Sequence, residues 1–289
     1  MDGDMHDCGL LRLLCKILCP PCPSKIAAKL AFHPPPATYD IVKGRQGFSL
    51  GLTENASWRL TREISDITSV CYAQSKTKNM IACAYINCNP TAKYTVLVSH
   101  PNAVDMGETI AFCLHLCSET LQCCNFFVYD YSGYGVSTGS PSPKNVCDDI
   151  QAAFNTLLFR FGVDQKNVVL YGQSIGSVPS IDLASKNDIG GLILVAPLSS
   201  GISTLLPTVT RIWCCDPFPN LEKVKNIKCK VLLIHGCEDS LIPIAHSKRI
   251  LKELKNQVTP LFVKDADHND VAVTQQFFDR FCKFIRYEL

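Results

Sequence analysis

Ser174 lies between two glycines in Gly172-Gln173-Ser174-Ile175-Gly176, a spacing suited to nucleophilic acyl transfer. The apolar run Asn167-Val168-Val169-Leu170-Tyr171 precedes it, and Ser177-Val178-Pro179-Ser180-Ile181-Asp182-Leu183-Ala184, able to form a helix, follows. Strand, sharp turn and helix together would lift the hydroxyl to the top of a sheet, against a helix N-terminus. The glycines suit a tight turn whose neighbours pass close to the backbone. Free N–H groups at that helix end could hold a developing oxyanion. The plain alternative is a chance Gly-x-Ser-x-Gly in a loop, so the residues around it must decide.

A serine hydroxyl needs a general base, and the base needs an orienting acid. In this arrangement the chain order is serine, acid, histidine. Lys230-Val231-Leu232-Leu233-Ile234-His235-Gly236 reads as a buried parallel strand followed by Glu238 and Asp239. Asp239 is preferred as the acid because it lies deeper in that loop. Pro260-Leu261-Phe262-Val263 reads as a last strand leading into Lys264-Asp265-Ala266-Asp267-His268-Asn269-Asp270. His268 is the candidate base, late in the chain and in a loop after a strand. The other six histidines have plainer readings. His235 ends a strand and is expected near the core. His115 and His246 fall on expected helices, solvated or partly buried. His6 and His33 lie near the N-terminus, and His100 ends another strand. Asp267 is expected to point away from its neighbour His268, Asp265 is a possible helper, and Asp130 reads as a turn residue before Gly133-Tyr134-Gly135.

Two backbone donors are expected at the oxyanion site. One is the N–H of Ile175, just after the nucleophile; the other comes from the loop Ser99-His100-Pro101-Asn102-Ala103-Val104-Asp105. Pro101 has no N–H and a fixed φ, so Asn102 is the candidate. A loop that needed positive φ at residue 101 would be distorted by the proline.

These residues require a sheet to carry them. Alternating segments predict strands at 94–99, 126–130, 167–171, 191–196, 230–235 and 260–263. Helices are predicted near 105–120, 143–161, 175–186, 244–256 and 270–288. Residues 66–87 alternate like two strands joined by Ser75-Lys76-Thr77-Lys78-Asn79. The expected fold is α/β, a mostly parallel doubly wound sheet with an antiparallel start and helices on both faces. Candidate acid and base then sit past the C-terminal ends of strands, where active sites of such sheets form. Residues 199–226 mix apolar residues with prolines and read as a small cap, suited to a long acyl chain.

The 289 residues suit one large domain plus an extension, and 47% are hydrophobic. A net charge of +2 without a basic stripe argues against nucleic acid as a partner. Seventeen cysteines, an odd number without regular spacing, are expected as free thiols in a reducing compartment. Cys19-x-x-Cys22 lacks a second pair and is crowded by prolines, so no metal is expected. No organic cofactor is expected either.

Residues 1–24 form a unit apart from the expected domain at 25–289. Leu10, Leu11, Leu13, Leu14, Ile17 and Leu18 make a short apolar segment interrupted by Arg12 and Lys16. It is too short to span a bilayer, and its acidic start is unlike a secretory leader. It would hold only weakly at a membrane surface unless acylated. Cys8, Cys15, Cys19 and Cys22 are the candidate S-acylation sites.

The chain resembles the alpha/beta-hydrolase domain-containing 17 family of protein depalmitoylases nearly end to end. The resemblance is carried by Cys19-Pro20-Pro21-Cys22-Pro23 with Lys25-Ile26-Ala27-Ala28-Lys29-Leu30-Ala31-Phe32, and by Asn102-Ala103-Val104-Asp105. Tyr129-Asp130-Tyr131-Ser132-Gly133-Tyr134-Gly135-Val136-Ser137, Leu170-Tyr171-Gly172-Gln173-Ser174-Ile175-Gly176, Phe218-Pro219-Asn220 and Ala266-Asp267-His268-Asn269-Asp270 complete it. It implies an alpha/beta-hydrolase fold and thioester hydrolysis on S-palmitoylated, membrane-associated proteins. Ser174 would be nucleophile, Asp239 acid and His268 base. It also implies N-terminal acylation that places the enzyme on the cytoplasmic face of membranes, plasma membrane or endosomal. The family has His-Gly where this chain has His100-Pro101, and a more acidic loop around Asp239. Two other functions stay open at this stage: a carboxylesterase or lipid hydrolase, and an impaired hydrolase that binds acylated proteins.

Overall fold

The computed structural model describes residues 31–45, 47–201 and 216–289. Eight strands form one sheet: β3 (Thr68–Gln74), β4 (Met80–Ile86), β5 (Thr95–Ser99), β6 (Asn125–Tyr129), β7 (Val168–Gln173), β8 (Gly191–Val195), β9 (Lys230–Gly236) and β10 (Leu261–Val263). Their spatial order is β10-β9-β8-β7-β5-β6-β4-β3. From β6 to β10 every neighbouring pair is parallel, whereas β4 pairs antiparallel with both β3 and β6. The order reverses around β5, so the loop after β5 and the loop after β7 open on one crevice. A separate hairpin, β1 (Tyr39–Gly44) with β2 (Gly47–Leu52), precedes the sheet.

Successive strand residues face opposite sides and build two cores. Leu97, Leu170, Leu192 and Leu233 point to one core, closed by α3 (Pro143–Phe161), α4 (Ser177–Lys186) and α6 (Ala245–Glu253). Val96, Val98, Val169, Tyr171 and Ile193 point to the other, closed by α2 (Met106–Glu119) and α7 (Gln275–Lys283). Both faces are covered, which is why the central strands are buried throughout and apolar at their inner positions, with polar residues such as Thr95, Ser99, Asn125 and Gln173 only at strand ends. Caps fix three of these helices: the Asp105 side chain accepts from the Glu108 N–H, that of Ser142 from the Asn145 N–H, and that of Thr274 from the Phe277 N–H.

The remaining α-helices among the described residues are short: α1 (Arg62–Ile67) ahead of β3, and α5 (Asn220–Lys223) ahead of β9. The single terminal helix expected over 270–288 is divided into a turn at Val271–Val273, α7, and a wider π-type turn at Phe284–Glu288. Cys8, Cys15, Cys19 and Cys22, the boundary at residue 24 and the centre of the expected cap, 202–215, lie outside the described residues. The ends of that insertion are described. Asp216 accepts from the N–H groups of Gly201 and Phe218 and from the Ser200 hydroxyl. All cysteines among the described residues are free thiols, and Cys71, Cys83, Cys113, Cys117, Cys124 and Cys229 are buried. No helix among the described residues is long and apolar enough to cross a membrane.

Candidate active site

Ser174 follows β7 directly, in a left-handed conformation with φ of +53°. A tight turn, Ser174–Gly176, runs into α4. The flanking glycines are required by space. A Cβ on Gly172 would stand 2.6 Å from the Gly176 carbonyl oxygen, and one on Gly176 only 2.1 Å from that of Ser99. Behind the turn the Ser177 hydroxyl donates to the Ser174 carbonyl at 2.6 Å and accepts from the Leu198 N–H at 3.1 Å. Backbone N–H groups at the start of a helix have no partner within it, and the Ile175 N–H is one of these.

The loops after β9 and β10 bring Asp239 and His268 to this serine. His268 Nε2 is 3.0 Å from Ser174 Oγ, and its Nδ1 is 2.7 Å from Asp239 Oδ2. All three side chains are nearly buried. Asp239 Oδ1 accepts from the N–H groups of Leu241 and Ile242, at 3.0 and 2.7 Å. Burial alone would push the Asp239 carboxyl up. Hydrogen bonds from His235, His268 and the Ile242 N–H outweigh burial and hold it well below the usual carboxylate range. Asp239 is therefore a fixed negative charge beside the imidazole, and a proton on His268 Nδ1 faces it. The other acidic residues of these loops do different things. Glu238 and Asp265 are exposed. Asp267 Oδ1 accepts from the N–H groups of His268 and Ser240, at 2.7 and 3.0 Å, which ties the two loops together.

His235 has a part in the site that sequence reasoning missed. It is buried, as expected of a strand end, but its Nε2 is 3.2 Å from Asp239 Oδ2 and 2.8 Å from the Ile242 carbonyl oxygen. A carbonyl only accepts, so Nε2 carries the proton. Nδ1 then accepts from the Ser247 hydroxyl at 2.6 Å. The signal was the pair His235 and Asp239 on either side of one tight turn. His246, next to Ser247, is buried rather than solvated. Its Nδ1 is 2.9 Å from Ser199 Oγ and accepts from the Ser199 N–H at 3.1 Å. Burial, with Arg249 nearby, pushes it down to about 4.

On the opposite wall is the loop from Ser99 to Asp105. Residue 103, not 101, takes the left-handed conformation: Ala103 has φ of +61°. Pro101 therefore sits in the loop without the strain a positive φ would bring. His100 is fully buried; its Nδ1 donates to the Pro101 carbonyl at 2.8 Å. Its Nε2 approaches Asp130 Oδ1 at 3.3 Å without a well-aligned hydrogen bond. Asp130 is no surface turn residue. It is buried at the end of β6, accepts from the Met106 N–H at 2.8 Å and the Tyr39 hydroxyl, and is pushed up by burial. It braces the loop and does not reach the serine's relay. Asp105 braces the far end, accepting from the Thr38 N–H at 2.6 Å.

Between the walls lies a cavity of about 420 Å³, with Ser174, His268, Pro101 and Asn102 in its lining. Val98, Phe112, Tyr171 and Ala272 make its apolar floor. Leu241 and Val273 line it as well, at its exposed rim. Among the described residues no cluster of His, Cys, Asp and Glu is arranged to hold a metal ion.

Comparison with known proteins places the chain in a family. Residues 135–269 match the Dienelactone hydrolase family. The chain is 42% identical over 287 residues to human alpha/beta hydrolase domain-containing protein 17B, covering 99% of both chains. It is 38% identical over 312 residues to mouse alpha/beta hydrolase domain-containing protein 17C, covering 99% of this chain and 97% of that one. Among solved structures, an esterase of Pyrococcus furiosus superposes with a TM-score of 0.64 at 16% identity, over 80% of this chain and 96% of that one. The chain has the alpha/beta-hydrolase fold, is a hydrolase, and belongs to the alpha/beta hydrolase domain-containing protein 17 family.

Proposed function

We propose that the chain is a serine thioesterase that removes palmitoyl groups from S-acylated cysteines of membrane-associated proteins. The observation that carries this reading is the unbroken relay Ser174–His268–Asp239, at 3.0 and 2.7 Å, opening on an apolar cavity. His268 Nε2 takes the proton of Ser174 Oγ as the oxygen attacks the thioester carbonyl. Asp239 orients the ring and stabilises the imidazolium that forms. The N–H groups of Ile175 and Asn102 hold the oxyanion. The tetrahedral intermediate collapses, the carbon–sulfur bond breaks, and the cysteine thiol leaves with the proton from His268. Water, deprotonated by the same histidine, then attacks the acyl-enzyme and releases the fatty acid and the serine.

The cavity floor favours a long acyl chain over a polar acid, since each buried methylene contributes about 0.8 kcal/mol. The exposed Leu241 and Val273 extend that apolar surface to the rim, where a chain would enter. In this reading Cys8, Cys15, Cys19 and Cys22 are acylated and hold the enzyme on the cytoplasmic face of membranes beside its substrates. A fluorophosphonate probe tests the chemistry. Labelling of the wild type that disappears in Ser174→Ala supports it, and folded wild-type protein that takes no label refutes it. Acyl preference is tested with thioesters of increasing chain length: kcat/KM should rise from C4 to C16, and a flat series would point to a general esterase. Replacing the four N-terminal cysteines by serine should release the protein from membranes.

A further inference from the structure

Asn102 stands where the loop after β5 meets the chain at residues 31–33. Both ends of its amide are engaged. Nδ2 donates to the Ala31 carbonyl at 2.7 Å, and Oδ1 accepts from the His33 N–H at 2.9 Å and from the Tyr134 hydroxyl at 2.7 Å. The Tyr134 hydroxyl in turn accepts from the same His33 N–H at 2.9 Å. A carbonyl on one side and an N–H on the other fix which way the amide points. Three partners on one short side chain leave its own backbone little freedom. Farther along the loop, Asp105 holds the Thr38 N–H and hydroxyl, at 2.6 and 2.5 Å. The incoming chain thus grips the loop twice, on either side of the left-handed Ala103. Phe32, between the two gripped residues, is buried edge-on against Phe218 with ring centres 6.2 Å apart. Phe218 lies two residues past Asp216, which holds its N–H, within the 199–226 insertion.

We propose that residues 31–33, acting through the Asn102 side chain, position the oxyanion donor of this hydrolase. Asn102 is then a positioning residue as well as the source of the N–H, and the incoming chain is part of the active-site wall. The proposal rests on the serine-thioesterase reading and adds to it a route by which the chain leading back to residues 1–24 bears on rate. The peptide N–H of residue 102 survives when its side chain is removed, so the two functions can be separated.

The experiment uses the full chain and a soluble short-chain thioester, with a trifluoromethyl ketone whose hemiketal oxyanion occupies the donor site. Asn102→Ala is expected to lower kcat by about 10- to 100-fold, part of what the loss of a whole donor does. KM should change little, and ketone affinity should fall by a similar factor to kcat. Asn102→Asp keeps the acceptor for His33 and Tyr134 and loses the donor to Ala31, so it should recover part of the loss. His33→Pro, which removes the N–H from the incoming chain, should move kcat in the same direction and by less. Unchanged kcat and ketone affinity in a folded Asn102→Ala would overturn the proposal. So would losses that only track the folded fraction in thermal melts of both Asn102→Ala and His33→Pro. A wild type that neither turns over nor takes the fluorophosphonate would instead remove the Ser174 reading on which the proposal stands.

Discussion

The two walls around Ser174 use similar side chains in opposite ways. On the β9–β10 wall, His235, Asp239 and His268 form a line of hydrogen bonds ending at the serine oxygen. A proton can move at that end, and the negative charge behind it stays fixed. On the β5 wall, His100, Asp130 and Asp105 are just as buried. Their bonds go to backbone N–H groups, to the Pro101 carbonyl and to the Tyr39 and Thr38 hydroxyls. These groups hold a loop in shape and do not touch the serine. Ionisable residues thus have two uses in one cleft. On the proposed mechanism one wall changes its charge during turnover and the other keeps its dipoles still, because an oxyanion is stabilised best by donors that need not reorganise.

Substitutions on the two walls should therefore fail differently. The largest effect is expected at their junction: Ser174→Ala should lower kcat by about 10⁶-fold while leaving the fold intact, measured by single-turnover hydrolysis and circular dichroism. On the proton-moving wall, Asp239→Asn should lower kcat by about 10³–10⁴-fold, because the neutral amide no longer stabilises the imidazolium. Only a small change there would break the comparison, since the wall would then not depend on its fixed charge.

His246 tests how far that wall extends behind the relay. Its folded-state pKa, about 4, lies below its unfolded value, so the unfolded chain binds more protons between the two. The stability it contributes is complete above about pH 6.5 and is lost as pH falls toward 4, up to about 3 kcal/mol. Denaturant titrations at pH 4.5 and 7.5 should show a smaller difference in His246→Gln than in the wild type. His235→Phe removes one hydrogen bond to a charged group, worth about 1.5–3 kcal/mol, and should reduce kcat/KM by about 10- to 100-fold. On the opposite wall, Pro101→Gly should change kcat by less than about threefold and lower stability by about 0.4–1 kcal/mol, through the freer unfolded chain. A large loss of rate in that variant would mean that the proline itself shapes the donor site.

The sheet was legible because its central strands are apolar runs that alternate with amphipathic helices, from 94–99 through to 260–263. The serine, acid and histidine were legible for a related reason: each follows a strand, so the sheet alone fixes which end they occupy. The β1–β2 hairpin was not foreseen. It stands outside the main sheet, largely exposed, and its second strand, with Gly47 and Gly51, has weak strand character. The short α1 was missed as well, being a single capped turn and a half with no buried residue. Asp130 was misread because Asp before Gly-Tyr-Gly has the local pattern of a turn. Only the folded chain shows that Tyr39, ninety-one positions earlier, reaches it. Ala31 and His33, the backbone partners of Asn102, were invisible for the same reason, lying some seventy positions away in a stretch with no regular pattern.

The backbone of Ser174 has a consequence beyond chemistry. A non-glycine residue at φ of +53° is held against its own preference, at a cost of about 1 kcal/mol or more. Glycine carries no such strain but loosens the unfolded chain by about 0.4–1 kcal/mol, so the two effects nearly cancel in Ser174→Gly. On the proposed mechanism that variant would lose turnover with little change in stability. The fold itself then gives serine no advantage over glycine at this position; what serine adds there is its hydroxyl.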